Sequence, residues 1–334
     1  MRGESEFCIG KGELETWRGD IKDIAECVGL YIIATDGQVR YIAYAVCFCF
    51  EPTVSIGEGS EINMGEAVKK LVLKFLGGEC LGTFCGDKGF VSGNRNAAST
   101  LRRGIAGSVP HYQINDAKEA CWAFEPTQAV NYCEAHDNNT LWDKLCISAK
   151  NDSEGVRIKM DKLAAAIVIL SQGMPFIQLG QDFLRSKPRI LKEGEEPNDV
   201  NIYSHDSYNA PDYTNSIKWN RKLEYKEVFE YYKALIRLRK GSPLFRMHTK
   251  EDVNAHLHFM HNDDWNCVSW KLEKDGECYV IALNPYYENR GFGLPEGSFY
   301  LRLDESGKMN KQPVSGSFVC PPLSAVVYKR IKNI

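Results

Sequence analysis

The chain has 334 residues, 43% hydrophobic and 25% charged, which is enough for one large domain and a smaller one with real cores. A formal net charge of -3 offers no basic field for nucleic acid and no acidic tail, so uncharged partners fit best. The twelve cysteines are scattered, with no CxxC pair and no histidine at ligand spacing, which predicts reduced thiols in a reducing compartment and no metal cluster.

The N-terminus, MRGESEFCIGKGELE, is too charged for a signal peptide, and the apolar run YIAYAVCFCF at 41–50 is too short to span a bilayer. The expected location is cytoplasmic, with no membrane partner. In the first eighty residues YIIATDG and YIAYAVCFCFEPTVSIG read as strands and EAVKKLVLKFLGG as a short helix, with poor capping and loop signals.

From about residue 110 the pattern becomes regular. AVNYC reads as a short buried strand and runs directly into Glu134, His136, Asp137, Asn138 and Asn139. So many polar groups at the tip of a core strand are costly unless the tip faces a polar ligand. RIKMDKLAAAIVILSQG (157–173) repeats apolar residues at helical spacing and ends at Gly173; MPFIQLG follows as a second buried strand. A long polar loop, 181–221, leads to the helix YKEVFEYYKALIRLRKG, ending at Gly241. Strand, loop, helix, strand, loop, helix is the order of parallel βα units. Beyond Pro243 the runs AHLHFMHN, NCVSWKLE, ECYVIALN, SFYLRLD and SAVVYKRI alternate in polarity between turn residues, which predicts a small antiparallel β domain.

A carboxylate just past a parallel strand, with a long polar loop after the next strand, suits the active-site face of a (β/α) barrel. VNYCEAHDNNTLWDKL closely resembles the seventh-strand segment of the alpha-amylase superfamily (glycoside hydrolase family 13), and its HDN and TLWDKL in particular resemble the type I pullulanases. SQGMPFIQLGQDFLRSK looks like that family's eighth strand and exit, and DSYNAPDYTNSIKWNRK like its substrate-contacting loop. GFVSGN, LRRGIAGS and PTQAVNY match in order, and GLPEGSFYLRL with VCPPLSAVVYKR resembles the C-terminal β domain. The likeness covers residues 89–334. It implies an α/β fold: the C-terminal strands and helices of a partial (β/α)8 TIM-type barrel (89–243), then a small antiparallel β-sandwich domain (244–334), preceded by a divergent segment (1–88) that would retain barrel strands 4 and 5.

The resemblance also implies chemistry. Retaining glycosidases set a carboxylate nucleophile and a carboxylic acid on opposite sides of the scissile bond, and the sugar becomes oxocarbenium-like. By motif match Asp137 would be the third carboxylate, which stabilises that charge. His136 would donate to a hydroxyl of the same glucose, and Asn138 would touch a neighbouring sugar. Trp142, Tyr208, Asn209 and Asp212 would also contact substrate, with Trp142 divided between packing and sugar and Trp219 expected in the core of its loop. Glu134 reads as a structural hydrogen-bond partner. TVSIGEGSEINMGE resembles the fifth-strand segment and puts the acid/base at Glu58, with Ser60 where the family has tryptophan. WRGDIKDI is similar to the nucleophile strand, which would make Asp20 the nucleophile and Arg18 its partner. There Gly19 replaces an apolar residue, and the Asp20 to Glu58 interval is several residues too long.

The function implied is a debranching glycoside hydrolase cleaving α-1,6-glucosidic links in pullulan, glycogen or limit dextrins, truncated here and weakly active or inactive. The alternative is a non-catalytic α-glucan-binding remnant; an α-1,4-acting relative fits TLWDKL and YNAPD less well. No cofactor is expected, and the aspartates of the 181–221 loop lack EF-hand-like spacing for calcium.

Overall fold

In a computed structural model of the chain, residues 30–35, 38–43, 53–55, 61–63, 88–94, 97–114, 121, 123–136 and 138–331 are described. The chain divides into two units, Met1–Lys74 and Phe75–Ile334. In the first, β1 (Leu30–Thr35) pairs antiparallel with β2 (Gln38–Ala43), with Thr35 opposite Gln38. β3 (Thr53–Ser55) likewise pairs antiparallel with β4 (Glu61–Asn63).

In the second unit helix α1 (Ala98–Ile105) precedes β5 (Val130–Asn131). Thr140 caps helix α2 (Leu141–Ser148) by accepting from the Asp143 N–H, and Ser153 caps α3 (Glu154–Leu170) through Val156 in the same way. From Leu163 to Leu170 every residue of α3 is buried, so this half of the helix is apolar all round and forms the middle of the body. Its C-terminal carbonyls are met by a buried cation: Arg239 donates to Ile169, Ser171 and Gly173 at 2.8, 2.6 and 2.5 Å. β6 (Met174–Pro175) then pairs parallel with β5, in register Val130 with Met174 and Asn131 with Pro175. Gly173 permits the approach. Its φ is +97°, and a Cβ there would stand 2.9 Å from the Ala129 carbonyl oxygen.

After β6 the chain forms a long connection that holds two one-turn helices, α4 (Asp212–Asn215) and α5 (Arg221–Glu224). Helix α6 (Lys226–Lys240) follows, burying Val228, Tyr231, Tyr232, Leu235 and Leu238 at helical spacing against α3. Helix α7 (Lys250–His256) is an addition to the predicted elements, capped by Thr249.

The alternating runs beyond it form a six-stranded antiparallel sheet, ordered β12 (Asn310–Val314), β11 (Phe299–Leu303), β14 (Ser324–Arg330), β9 (Glu277–Asn284), β8 (Val268–Lys274), β7 (Leu257–Phe259). A ribbon of β10 (Arg290–Gly293) and β13 (Ser317–Cys320) accompanies it. The two-residue period of β9 sorts its side chains between two cores. Tyr279, Ile281 and Leu283 join the large core with the helices, whereas Cys278, Val280 and Ala282 face Phe292 and Phe318 of the ribbon. The helical body and the sheet therefore share one continuous core. Gly307, at φ +82°, seats the β11–β12 turn on α6, where a Cβ would meet Ala234 at 3.2 Å. Among the described residues no helix is long and apolar enough to cross a membrane.

Candidate functional site

Because β5 and β6 run parallel, their C-terminal exits, residues 132–140 and 176–187, leave the pair at the same end. The exits are tied together residue by residue. Tyr132 and Phe176 meet edge to face, with ring centroids 5.9 Å apart. Gln181 donates through Nε2 to the Cys133 thiol and to the Tyr232 hydroxyl, each at 3.2 Å. With its amide oriented to satisfy both ends, Gln178 donates to Glu134 Oε1 at 3.0 Å and to the Ala135 carbonyl at 3.1 Å, and accepts from the His136 N–H at 3.2 Å.

Glu134 is buried, and its Oε2 accepts from the Leu141 N–H at 2.5 Å, so it joins the strand exit to the start of α2. Burial pushes its carboxyl up to about 8, against the pull of the Leu141 bond, and the carboxylates of Asp161 and Asp143 add to the rise. It is the structural partner that the sequence suggests.

Asp143, the aspartate of TLWDKL, is fully buried and accepts from Ser186 Oγ at 2.5 Å and the Lys187 N–H at 2.8 Å. Burial raises its carboxyl, and these bonds oppose the rise. Lys187 is 1% exposed. Its ammonium donates to the carbonyls of His136 at 2.9 Å and Asn138 at 2.6 Å, on either side of position 137. The tip is thus held by its backbone while the side chains of His136 and Asn138 are exposed. Asn138 sits at φ +64°, a left-handed conformation that asparagine tolerates better than most residues.

Beside the tip lies a cleft of about 420 Å³, walled by Asn139, Ile190, Val200, Tyr203, His205 and Asp206 among others. Its walls mix apolar faces with hydroxyl, amide, imidazole and carboxylate groups, as a pocket for a polyhydroxylated ring requires. Ala210 and Pro211, between Asn209 and Asp212, line the same cleft. Tyr208, 80% exposed, and exposed Asn209 and Asp212 therefore flank it.

Two aromatic expectations change. Trp142 is 8% exposed, packed 6.2 Å from the Tyr225 ring with Arg157 over its face at 5.9 Å, so it is a core residue and not a sugar platform. Trp219, expected in the loop core, is 59% exposed, with Phe183 5.7 Å from its ring. Asp137, Glu58 and Asp20 lie outside the described residues. Among the described residues, no three His, Cys, Asp or Glu side chains gather as a metal site would need.

Lys187, Ser186, Asp143 and Gln178 carry this site although sequence reasoning gave them no role. Asp143 and Lys187 stand inside quoted motifs, but nothing local shows that residues 44 apart meet.

No family model matches the chain. The pullulanase of Bacillus subtilis (strain 168) is 37% identical over 169 residues, which is 51% of this chain and 21% of that protein. Among solved structures, the pullulanase from Bacillus acidopullulyticus aligns with a TM-score of 0.66 and 30% identity, over 77% of this chain and 30% of that one. The chain is related to the type I pullulanases. The type I pullulanase of Bacillus subtilis str. 168, solved in complex with maltose, gives the same TM-score of 0.66 at 27% identity, covering 77% of this chain and 35% of the other. The chain spans about a fifth of the curated pullulanase's length. Its descent is from glycosidases, it carries part of the alpha-amylase-like fold of these pullulanases, and the likeness is consistent with their C-terminal portion.

Proposed function

We propose that this chain binds α-glucan at the shared exit of β5 and β6, as part of a debranching site of the pullulanase type that acts on α-1,6-glucosidic links by a retaining double displacement. The observation that carries the reading is a backbone-held tip presenting His136 and Asn138 beside a cleft of mixed polarity. A sugar needs hydrogen bonds around its rim and apolar contact on its C–H faces, and the cleft supplies both kinds of wall. The maltose complex of the Bacillus subtilis relative points to the same class of ligand. In this reading β5 and β6 are the seventh and eighth strands of a partial barrel; the described strands of residues 1–88 pair antiparallel, unlike the parallel fourth and fifth strands that the sequence resemblance implies.

Asp137 would stabilise the positive charge that develops on the sugar, with His136 on a hydroxyl of the same ring and Asn138 on a neighbour. Asp137 cannot supply the rest of the reaction. A retaining enzyme needs a nucleophile and an acid held about 5 to 5.5 Å apart, and the candidates for those roles are Asp20 and Glu58, whose spacing departs from the family pattern. Stabilisation without a placed nucleophile leaves most of the barrier standing, so the chain hydrolyses pullulan weakly or not at all.

The test has two arms. In gels containing pullulan the protein should be retarded, and Asp137→Asn should be retarded less; migration unaffected by pullulan would overturn the glucan reading. Incubation with pullulan while reducing ends are counted should give turnover near background. Strong turnover abolished by Asp137→Asn would show that the N-terminal carboxylates complete the site.

A further inference from the structure

We propose that Lys187 is a positioning residue, one that sets the tip between His136 and Asn138 for the sugar and locks it to the wall of the cleft; the sugar-binding half of this rests on the function proposed above. An ammonium removed from water costs several kcal/mol unless its protons find acceptors, and an apolar side chain of similar volume could fill the same space. What the ammonium does, and a methyl group could not, is bind the His136 and Asn138 carbonyls at 2.9 and 2.6 Å. Those carbonyls flank a single position. Asn138 is moreover held at φ +64°, and a charge-assisted bond to its own carbonyl oxygen opposes relaxation to a more ordinary backbone.

The other end of Lys187 is equally fixed. Its N–H donates to Asp143 Oδ2 at 2.8 Å, Ser186 Oγ donates to Asp143 Oδ1 at 2.5 Å, and its own carbonyl accepts from the Ser204 N–H at 2.8 Å. Asp143 stands on α2, one turn beyond the tip, whereas Ser204 lines the cleft. One residue therefore joins the strand tip through its side chain, and the following helix and the cleft wall through its backbone. Exposed side chains on a loop bind a rigid sugar well only if the loop is already in place, and the Lys187 ammonium holds the two carbonyls at its turn.

The experiment compares hydrogen exchange and pullulan retardation for the wild type, Lys187→Met, which keeps the stem and loses the donors, and Lys187→Arg, which keeps charge and donors. In Lys187→Met the amides of residues 134–140 should exchange at least about tenfold faster, as loss of charged hydrogen bonds implies, while those of β8 and β9 stay as they were. Retardation should fall with it, and Lys187→Arg should recover part of both. Unchanged tip exchange, or an equal rise throughout the sheet, would overturn the proposal, as would a loosened tip with full retardation. Should Lys187→Met not fold, Lys187→Gln, which keeps a polar head and loses the charge, makes the same comparison, with a rise of about threefold expected and no rise overturning the proposal. A wild type that ignores pullulan would remove the glucan reading, and the exchange contrast would still decide whether Lys187 holds the tip.

Discussion

Asp161 offers the sharpest test of how the site end is built. It lies on α3, fully buried, with Oδ1 accepting from the Tyr232 hydroxyl at 3.2 Å and Oδ2 without a hydrogen-bond partner among the described residues. Burial pushes its carboxyl from 3.8 up to about 8, so at neutral pH the folded protein holds it protonated. Below about pH 4 the folded and unfolded chains both keep this proton, and the group adds no pH dependence. Between there and about pH 8 the unfolded chain releases the proton and the folded chain does not, so stability falls as pH rises. The full fall is about 6 kcal/mol at ~1.4 kcal/mol for each tenfold step, and about 3 kcal/mol of it lies between about pH 5 and about pH 7.5. Asp161→Asn has nearly the same shape and no such proton. Urea midpoints for both proteins across that range should diverge steadily, the variant gaining on the wild type as pH rises, whatever constant offset its extra N–H brings. Glu134 adds a slope of its own to both proteins; the Asp161 carboxylate adds to its rise, so that slope differs between them only where Asp161 ionises, toward pH 8. Parallel curves would refute the reasoning, because they would mean that Asp161 is solvated or paired in the folded chain.

Other substitutions test other parts. Gly173→Ala should cost about 2 kcal/mol or more in urea unfolding, since it forces a Cβ onto the Ala129 carbonyl at φ +97°; a neutral effect would mean that β5 and β6 are not in this register. Arg239→Met leaves the carbonyls of Ile169, Ser171 and Gly173 without this donor and should destabilise by about 3 kcal/mol, read in the same assay. Asn138→Gly keeps the left-handed conformation and removes only the amide, so stability should hold to within about 0.5 kcal/mol while retardation by pullulan weakens. Equal retardation would take the Asn138 side chain out of the sugar contacts.

The long periodic elements were legible because their side chains report their own environment. The apolar face of α6, the nearly continuous apolar run of α3 and the two-residue alternation of β8, β9 and β14 all follow from burial on known faces. The short edge strands were not legible. β10 is RGFG and β12 is NKQPV, with Pro313 and mostly exposed side chains, so neither has an apolar rhythm to read. Helix α7 hid behind an alternating run, although Thr249 three residues before Asp252 was a capping signal. In the site, the exposed residues of the tip were visible as polar groups where a strand should end. Their supports were not. Asp143 read as one charge in a helix and Lys187 as one charge in a loop, and only the parallel pairing of β5 with β6 brings them together. Trp142 stayed divided in the sequence, since a tryptophan beside a polar tip suits a sugar as well as a core, and its burial favours the core.

The way the tip is held bears on how binding and hydrolysis can part company in one chain. Its described supports, Glu134, Gln178, Asp143, Ser186 and Lys187, all fall within residues 134–187, on α2 and the exits of the parallel pair. Stability at this end comes from core burial and from hydrogen bonds to backbone, neither of which depends on a nucleophile being present. Catalysis has a different requirement, because two carboxylates at about 5 to 5.5 Å must be placed by separate strands, and a small misplacement removes most of the rate. Under the function proposed above, changes in the segment that carries Asp20 and Glu58 would strike hydrolysis first, while the tip and cleft, built from contiguous chain around one core, would keep their form. A protein of this construction should retain affinity for glucan well after it has lost the capacity to cut it, so retention in pullulan gels and release of reducing ends need to be measured as separate properties of the same molecule.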